Sequence, residues 1–196
     1  MSGKITIDGV DISTLGLHTL RSALAVIPQD PVLFSGTLRY NLDPFDEHPD
    51  AVLHEALART CLPRDRFTLE STIDQGGGNL SVGERSLVSL ARAFVKNAPI
   101  MLLDEATAAV DLETDARIQD AIRQECNAKS KTLLCIAHRL RTVMGWDKIL
   151  VLEAGQVAEF ASPLELFDRR GIFYTMCVKS NITREEIVRA RNIERE

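Results

Sequence analysis

Long hydrophobic runs are missing from this sequence of 196 residues. No apolar stretch approaches the roughly 20 residues that a helix needs to cross a bilayer. Cysteine is also scarce: the four cysteines stand at positions 61, 126, 135 and 177, and no two of them form a CxxC pair. This spacing matches no common zinc site and favours reduced, mostly buried thiols in a cytosolic protein.

An excess of positive charge is absent too. The chain has 23 lysines and arginines against 28 aspartates and glutamates, which gives a formal net charge of −5. Because the basic residues are spread along the chain, no nucleic-acid partner is predicted. The hydrophobic fraction of 45% and the charged fraction of 26% are typical of a globular protein whose length allows one domain with a substantial core.

The strongest positive signal lies at residues 99–111, PIMLLDEATAAVD. Its apolar run at 100–103 is typical of a strand buried on both faces of a parallel sheet. The run stops at Asp104 and Glu105, and the carboxyl end of such a strand is where open α/β sheets bind ligands. Since neighbouring side chains point in different directions, one acid can face a metal and the other a reacting water. The alternative is a strand that simply ends in acids at the surface.

Two further apolar runs end in polar residues. The run at 23–27 is followed by Pro-Gln-Asp-Pro, and the two prolines exclude regular structure and hold Gln29 in an exposed loop. The run at 132–137 ends at His138, which we expect to reach the same ligand as Glu105. Taken singly, a solvated glutamine and a structural histidine are the more common situations.

A helix is predicted after the glycines at 76–78. Ser81 and Glu84 have the S-x-x-E spacing of a capping box. Apolar residues at 87, 90, 91 and 94 then form one face of the helix. Its N-terminus therefore offers unpaired N–H groups and the positive end of the dipole to an anion. An ordinary capped helix remains the alternative.

Other elements follow from local patterns. We predict a strand at 4–7, a helix capped by Asp50 that runs to about 60, and a helix at 111–127. A hairpin is predicted at 148–160, followed by a helix capped by Ser162, with Pro163 at its first position. The charged tail at 183–196 is predicted to form a helix with a solvated face.

Taken together, these stretches resemble the nucleotide-binding domain of an ABC transporter over nearly the whole chain. Five motifs stand in the order of that family: Gln29 matches the Q-loop, LSVGE at 80–84 the signature, IMLLDE at 100–105 the Walker B strand, Asp111 the D-loop, and His138 the switch histidine. Each motif is weak alone, and the ordered set is very specific. IPQDPVLFSGTLRYNLDPF and DEATAAVDLETD resemble the second, C-terminal domain of subfamily C, the multidrug-resistance-associated type. LSVGERSLVSLAR is similar to fungal members.

The resemblance implies an α/β fold, a P-loop NTPase-like (RecA-like) parallel sheet with a helical signature subdomain. It implies a nucleotide-binding domain at 1–178, with the helical subdomain at about 35–97, and a charged helical tail at 179–196. The implied function is ATP hydrolysis coupled to transmembrane transport, with ATP and Mg²⁺ as cofactors. Transmembrane domains and an opposite nucleotide-binding domain are the implied partners. The implied location is the cytoplasmic face of a membrane, and the chain alone would be cytosolic.

Residue roles also follow from the resemblance. Asp104 would hold Mg²⁺ through water, and Gln29 would sense metal and water. Glu105 would act as general base on the attacking water, while His138 would contact the γ-phosphate.

Three residues are assigned to the nucleotide shared by two domains. Ser81 and Gly83 would offer a hydroxyl and backbone N–H groups to the nucleotide that the opposite domain holds. Asp111 belongs to the D-loop, and each ATP would be sandwiched between two domains.

One motif of the family is absent. No G-x-x-x-x-G-K-[ST] occurs in the chain, and that loop wraps the phosphates and supplies a lysine. We therefore expect a domain truncated at its N-terminus that binds MgATP poorly alone. The missing segment is expected to include a strand beside the strand at 100–104.

Two alternatives stay open. A truncated, non-catalytic domain that binds a partner is consistent with the missing loop. A soluble ABC ATPase of the repair type is disfavoured, because only the 51 residues at 30–80 separate Gln29 from Ser81. Glu84 departs from the usual glutamine of the signature, and we expect its carboxylate to serve as a helix cap first.

Overall fold

The computed structural model describes residues 3–60, 62–63, 66–104, 112–129, 131–137 and 139–193. The chain forms two compact units, Met1–Ile136 and Ala137–Glu196. The strands are β1 (Thr6–Ile7), β2 (Val10–Asp11), β3 (Leu24–Ile27), β4 (Gly36–Thr37), β5 (Thr72–Ile73), β6 (Ile100–Asp104), β7 (Thr132–Ile136), β8 (Ile149–Glu153) and β9 (Gln156–Ala161). The helices are α1 (Leu17–Ser22), α2 (Leu38–Leu42), α3 (Asp50–Arg59), α4 (Val82–Lys96), α5 (Leu112–Lys129), α6 (Leu140–Val143), α7 (Pro163–Arg169), α8 (Ile172–Lys179) and α9 (Arg184–Ile193). None of the described helices has the length and apolar character of a membrane span.

A parallel sheet of order β3-β6-β7 organises the first unit. Its register pairs Ile27 with Leu103 and Asp104 with Ile136. The parallel α/β architecture predicted from the sequence is therefore confirmed. The expectation that the strand beside residues 100–104 is missing is wrong, because β6 is the middle strand and pairs with β3 on one side and with β7 on the other.

Only one face of this sheet is fully buried by described residues. Met101 and Leu103 are buried on that face, and Leu102 on the other face is half-buried. Val26 and Leu134 keep 56% and 66% of their surface exposed. The prediction of a strand buried on both faces is thus wrong within the described residues, since their core lies on one side of the sheet.

Helix α4 forms the centre of the core of the first unit. It packs against β3, α2, α3 and α5. The predicted apolar face is confirmed, because Leu87, Leu90, Ala91 and Phe94 are all buried. This packing fixes the helix that begins at the signature motif against the strand that leads to Gln29.

The second unit contains the predicted hairpin, β8 paired with β9, and the helices α6 to α9. Helix α7 begins with the predicted capping box between Ser162 and Glu165. The predicted tail helix is present as α9, with Arg184, Glu185 and Arg189 exposed on its surface. Its other side was not predicted: Ile187 is fully buried together with Phe173 and Leu166. The domain bounds 1–178 and 179–196 stay a prediction.

Helix α3 begins differently from the prediction. Pro49 holds the N-cap position and offers no side-chain hydrogen bond. Asp50 is the first helical residue, and its carboxylate accepts a hydrogen bond from Nε of Arg39 at 2.9 Å. The arginine thus draws the carboxylate away from the backbone N–H groups that it was expected to cap.

The described cysteines are covered by the protein to different degrees: Cys177 is buried, and Cys126 and Cys135 are half-buried. Within the described part of the chain, Cys126, Cys135 and Cys177 are free. Burial raises the pKa of the Cys135 thiol, and likewise that of Cys177, to about 11. These groups therefore stay protonated at neutral pH and behave as small apolar side chains.

Candidate functional site

The carboxyl ends of β3 and β6 lie side by side. Ile27, the last residue of β3, pairs with Leu103, so Gln29 lies just past the end of β3 while Asp104 is the last residue of β6. Both residues are exposed. The two prolines around Gln29 and Asp30 interrupt the regular structure there, as the sequence predicts. The amide of Gln29 and the carboxylate of Asp104 therefore lie at the same edge of the sheet, the one formed by the carboxyl ends of its parallel strands.

Three predicted site residues, Glu105, Asp111 and His138, lie outside the described residues. The strands that precede Glu105 and His138 in the chain are described. Strand β6 ends at Asp104, directly before Glu105, and β7 ends at Ile136, opposite Asp104 in the register.

The N-terminus of α4 carries the predicted capping box. The Ser81 hydroxyl accepts a hydrogen bond from the backbone N–H of Glu84 at 3.2 Å, and the backbone N–H of Ser81 donates to Oε2 of Glu84 at 2.8 Å. Ser81 is exposed, and Gly83 in the first turn is half-buried. Because a hydroxyl that accepts can still donate its own hydrogen, Ser81 keeps a donor for a ligand.

Glu84 also forms an ion pair with the guanidinium of Arg66, through its Oε1 atom. The Glu84 side chain is only 14% exposed, whereas that of Arg66 is 57% exposed. The guanidinium also lies over the Phe67 ring, 5.2 Å from its centre. Sequence reasoning missed Arg66, because it lies 18 residues before its partner in a stretch without a periodic pattern.

The segment that follows Gln29 is attached to α4 through Arg92. Its guanidinium donates to the carbonyl oxygens of Asn41 at 2.7 Å and Val32 at 3.1 Å. Burial lowers the pKa of Arg92. Asn41 is buried, and its amide bonds both the N–H and the carbonyl of Phe34 at 2.8 Å. The only local sign of these hydrogen bonds in the sequence is Asn41, a polar residue among the buried positions of α2.

The site residues form two groups, one at the edge of the sheet and one at the N-terminus of α4. No hydrogen bond or ion pair between described residues joins Ser81 or Gly83 to Asp104 or Gln29. Among the described residues, Asp104 forms an ion pair with no lysine, arginine or histidine. No group of three histidine, cysteine or acidic residues suited to a metal occurs among the described residues.

Known proteins are similar to this chain over most of its length. The family model for the ABC transporter matches residues 1–108. The ABC-type transporter cicA of Emericella nidulans is 49% identical over 207 aligned residues, which cover 95% of this chain and 15% of that protein. ATP-binding cassette sub-family C member 2 of Rattus norvegicus is 48% identical, with coverage of 92% and 12%. The solved structure of a bacterial Atm1-family ABC exporter with ATP bound matches with a TM-score of 0.82 and 36% identity, over 93% of this chain and 33% of the exporter chain.

The chain thus spans between 12% and 15% of the length of these two curated relatives. The relatives confirm the resemblance to subfamily C transporters, and the structural match confirms the P-loop NTPase-like fold. The chain therefore belongs to the ABC transporter family, as a nucleotide-binding domain.

Proposed function

We propose that this chain binds and hydrolyses ATP as part of an ABC exporter that couples hydrolysis to transmembrane transport. The observation that carries the proposal is the position of two exposed residues at the same edge of the sheet: Gln29 lies just past the end of β3, and Asp104 is the last residue of the neighbouring parallel strand β6. Catalytic and binding groups of open α/β sheets lie at this edge. The match to an exporter with ATP bound supports the same conclusion.

The donor set of this edge fits Mg²⁺. Magnesium prefers oxygen ligands and usually keeps several waters besides one or two carboxylates and the phosphates of a substrate. Asp104 would hold it through water, and the amide oxygen of Gln29 would supply a second contact. When bound with ATP, the ion neutralises charge on the phosphates.

Glu105 and His138 complete the proposed chemistry at this edge. Glu105 directly follows Asp104, so the division of labour expected from the alternation of side chains assigns it the proton of the attacking water. His138 follows β7, the strand next to β6, and would donate a hydrogen bond to the γ-phosphate. These two roles rest on the family resemblance together with the order of the strands.

The N-terminus of α4 supplies the second half of a shared nucleotide site. Ser81 would donate its hydroxyl, and Gly83 its backbone N–H, to an ATP that the opposite domain holds. The helix is 15 residues long, and its dipole favours a negative charge at this end. We propose a head-to-tail pair of such domains, with Asp111 in the D-loop between them. Transmembrane domains are the second partner, and the cytoplasmic face of the membrane is the proposed location.

The test is ATP hydrolysis by the protein as its source cells make it, with Glu105→Gln as the variant. Loss of a general base lowers the rate about 10²- to 10⁴-fold, and ATP binding should be retained. Glu113→Gln is the matched control, because Glu113 is 78% exposed and paired with Arg117 on α5. An equal rate in the parent and in Glu105→Gln would contradict the proposed function.

A further inference from the structure

We infer that Arg66 offsets the negative charge of Glu84 and thereby lets an anionic phosphate approach Ser81 and Gly83. The inference rests on the proposed function of the α4 N-terminus. It assigns Arg66 as a positioning residue for the nucleotide, in a segment that the motifs leave without a role.

Both carboxylate oxygens of Glu84 are engaged. Oε2 accepts from the backbone N–H of Ser81, and Oε1 contacts the guanidinium of Arg66. The Glu84 side chain is 14% exposed, so water and salt screen its charge less than that of a surface glutamate. The negative charge therefore acts on whatever binds at the first turn of the helix.

The balance of charges shows why a cation is needed. A helix N-terminus is equivalent to roughly half a positive charge. A full negative charge on Glu84 outweighs that partial charge and would repel a phosphate. The positive charge of Arg66 reverses the sign again. With Arg66 in place, the end of α4 is attractive to an anion, and without it the end is repulsive.

The cap and the charge can be changed independently. Glutamine also serves at the third position of a capping box, so Glu84→Gln removes the charge and retains an acceptor for the Ser81 N–H. Arg66→Gln removes the cation. Arg117→Gln is the matched control, because Arg117 is 53% exposed and is also paired with a glutamate, Glu113 on the same helix α5.

The experiment compares the parent, Arg66→Gln, Glu84→Gln, the double variant and Arg117→Gln in the intact protein. The readouts are KM and kcat for MgATP, and the rise in melting temperature that MgATP causes. Arg66→Gln is expected to raise KM about 3- to 10-fold, because the negative charge of Glu84 near the phosphate is then no longer offset. It should leave kcat at saturating MgATP within about twofold, because it removes binding without touching the reacting groups.

The Glu84→Gln background provides the decisive comparison. There the added Arg66→Gln change should alter KM less than about twofold, because the charge that Arg66 offsets is gone. The stabilisation by MgATP should fall in Arg66→Gln and not in Arg117→Gln. A KM effect of equal size in both backgrounds, or a lower melting temperature with unchanged KM, would overturn the inference. A parent protein without ATP hydrolysis or MgATP binding would instead refute the proposed function, and the inference with it.

Discussion

The buried carboxylate of Glu125 joins α3 to the connection between α5 and β7, and we predict that Glu125→Gln strongly destabilises the first unit. The Glu125 side chain is 1% exposed and contacts both the guanidinium of Arg59 and the ammonium of Lys131, the latter at 2.7 Å. The Lys131 side chain is itself only 4% exposed. Neutralising Glu125 leaves that ammonium buried beside a neutral amide.

The magnitude follows from the surroundings of the two cations. Removing one partner of a buried ion pair costs about 3–5 kcal/mol of the free energy of unfolding. Arg59 keeps a second partner, Glu55 at 2.5 Å, and its side chain is 35% exposed. Lys131 therefore carries most of the cost, and we expect about 3 kcal/mol, the lower end of that range. Adding Lys131→Met should recover at least about 1 kcal/mol, because it removes the unpaired charge.

Pulse proteolysis in urea, followed by mass spectrometry of peptides from α3 and α5, measures this free energy in the intact protein. Glu113→Gln is the control, since its exposed helical pair with Arg117 is worth only about 0.3–0.5 kcal/mol. A loss below about 1 kcal/mol for Glu125→Gln, or a double variant less stable than the single one, would show that the buried pair of Glu125 and Lys131 does not stabilise the first unit in this way.

Three further predictions concern two tight turns and the nucleotide. Gly76 and Gly77 both have a left-handed φ, but only at Gly77 would a Cβ meet a neighbour, Cδ of Arg85 at 2.7 Å. Gly76→Ala should therefore cost about 1–2 kcal/mol and Gly77→Ala clearly more, and equal urea midpoints would contradict this. Gly171→Ala would place a Cβ 1.8 Å from Oε1 of Glu159. The Glu159 carboxylate accepts hydrogen bonds from the first two backbone N–H groups of α8. Losing these charge-assisted bonds should cost about 2–4 kcal/mol, and a melting temperature equal to that of the parent would count against it. The 196 residues alone should bind MgATP poorly, because they contain no P-loop lysine; isothermal titration with micromolar affinity would argue otherwise.

Local patterns made several features predictable from the sequence. The apolar run at 100–103 became β6, and the S-x-x-E spacing became the capping box of α4. Capping and periodicity depend on residues within one or two turns of each other, so a single sequence contains the whole signal. The turn at Pro28 and the exposure of Gln29 were predictable for the same reason.

Features that depend on distant residues were not predictable in this way. Arg66 lies 18 residues from Glu84, and Arg92 lies 51 residues from Asn41. Nothing in either local pattern indicates its partner. Strand order also depends on residues that are far apart in the sequence. For that reason, the pairing of β6 with a strand on each side was not predicted. The burial of Ile187 was not predicted because half of the residues of α9 are charged, and tertiary packing decides which of the apolar ones is covered.

The most direct test of the central claim is the Mg²⁺-dependent hydrolysis of ATP by the intact protein, measured for the parent, Asp104→Asn and Asp120→Asn. Asp120 is exposed and paired with Arg123 on α5, so its variant controls for the loss of one acid. We expect a parent rate that requires Mg²⁺, a similar rate for Asp120→Asn, and a loss of about 10- to 100-fold for Asp104→Asn, as is typical when a group that holds a metal through a water is removed. Equal hydrolysis by the parent and by Asp104→Asn would show that Asp104 has no part in holding the metal.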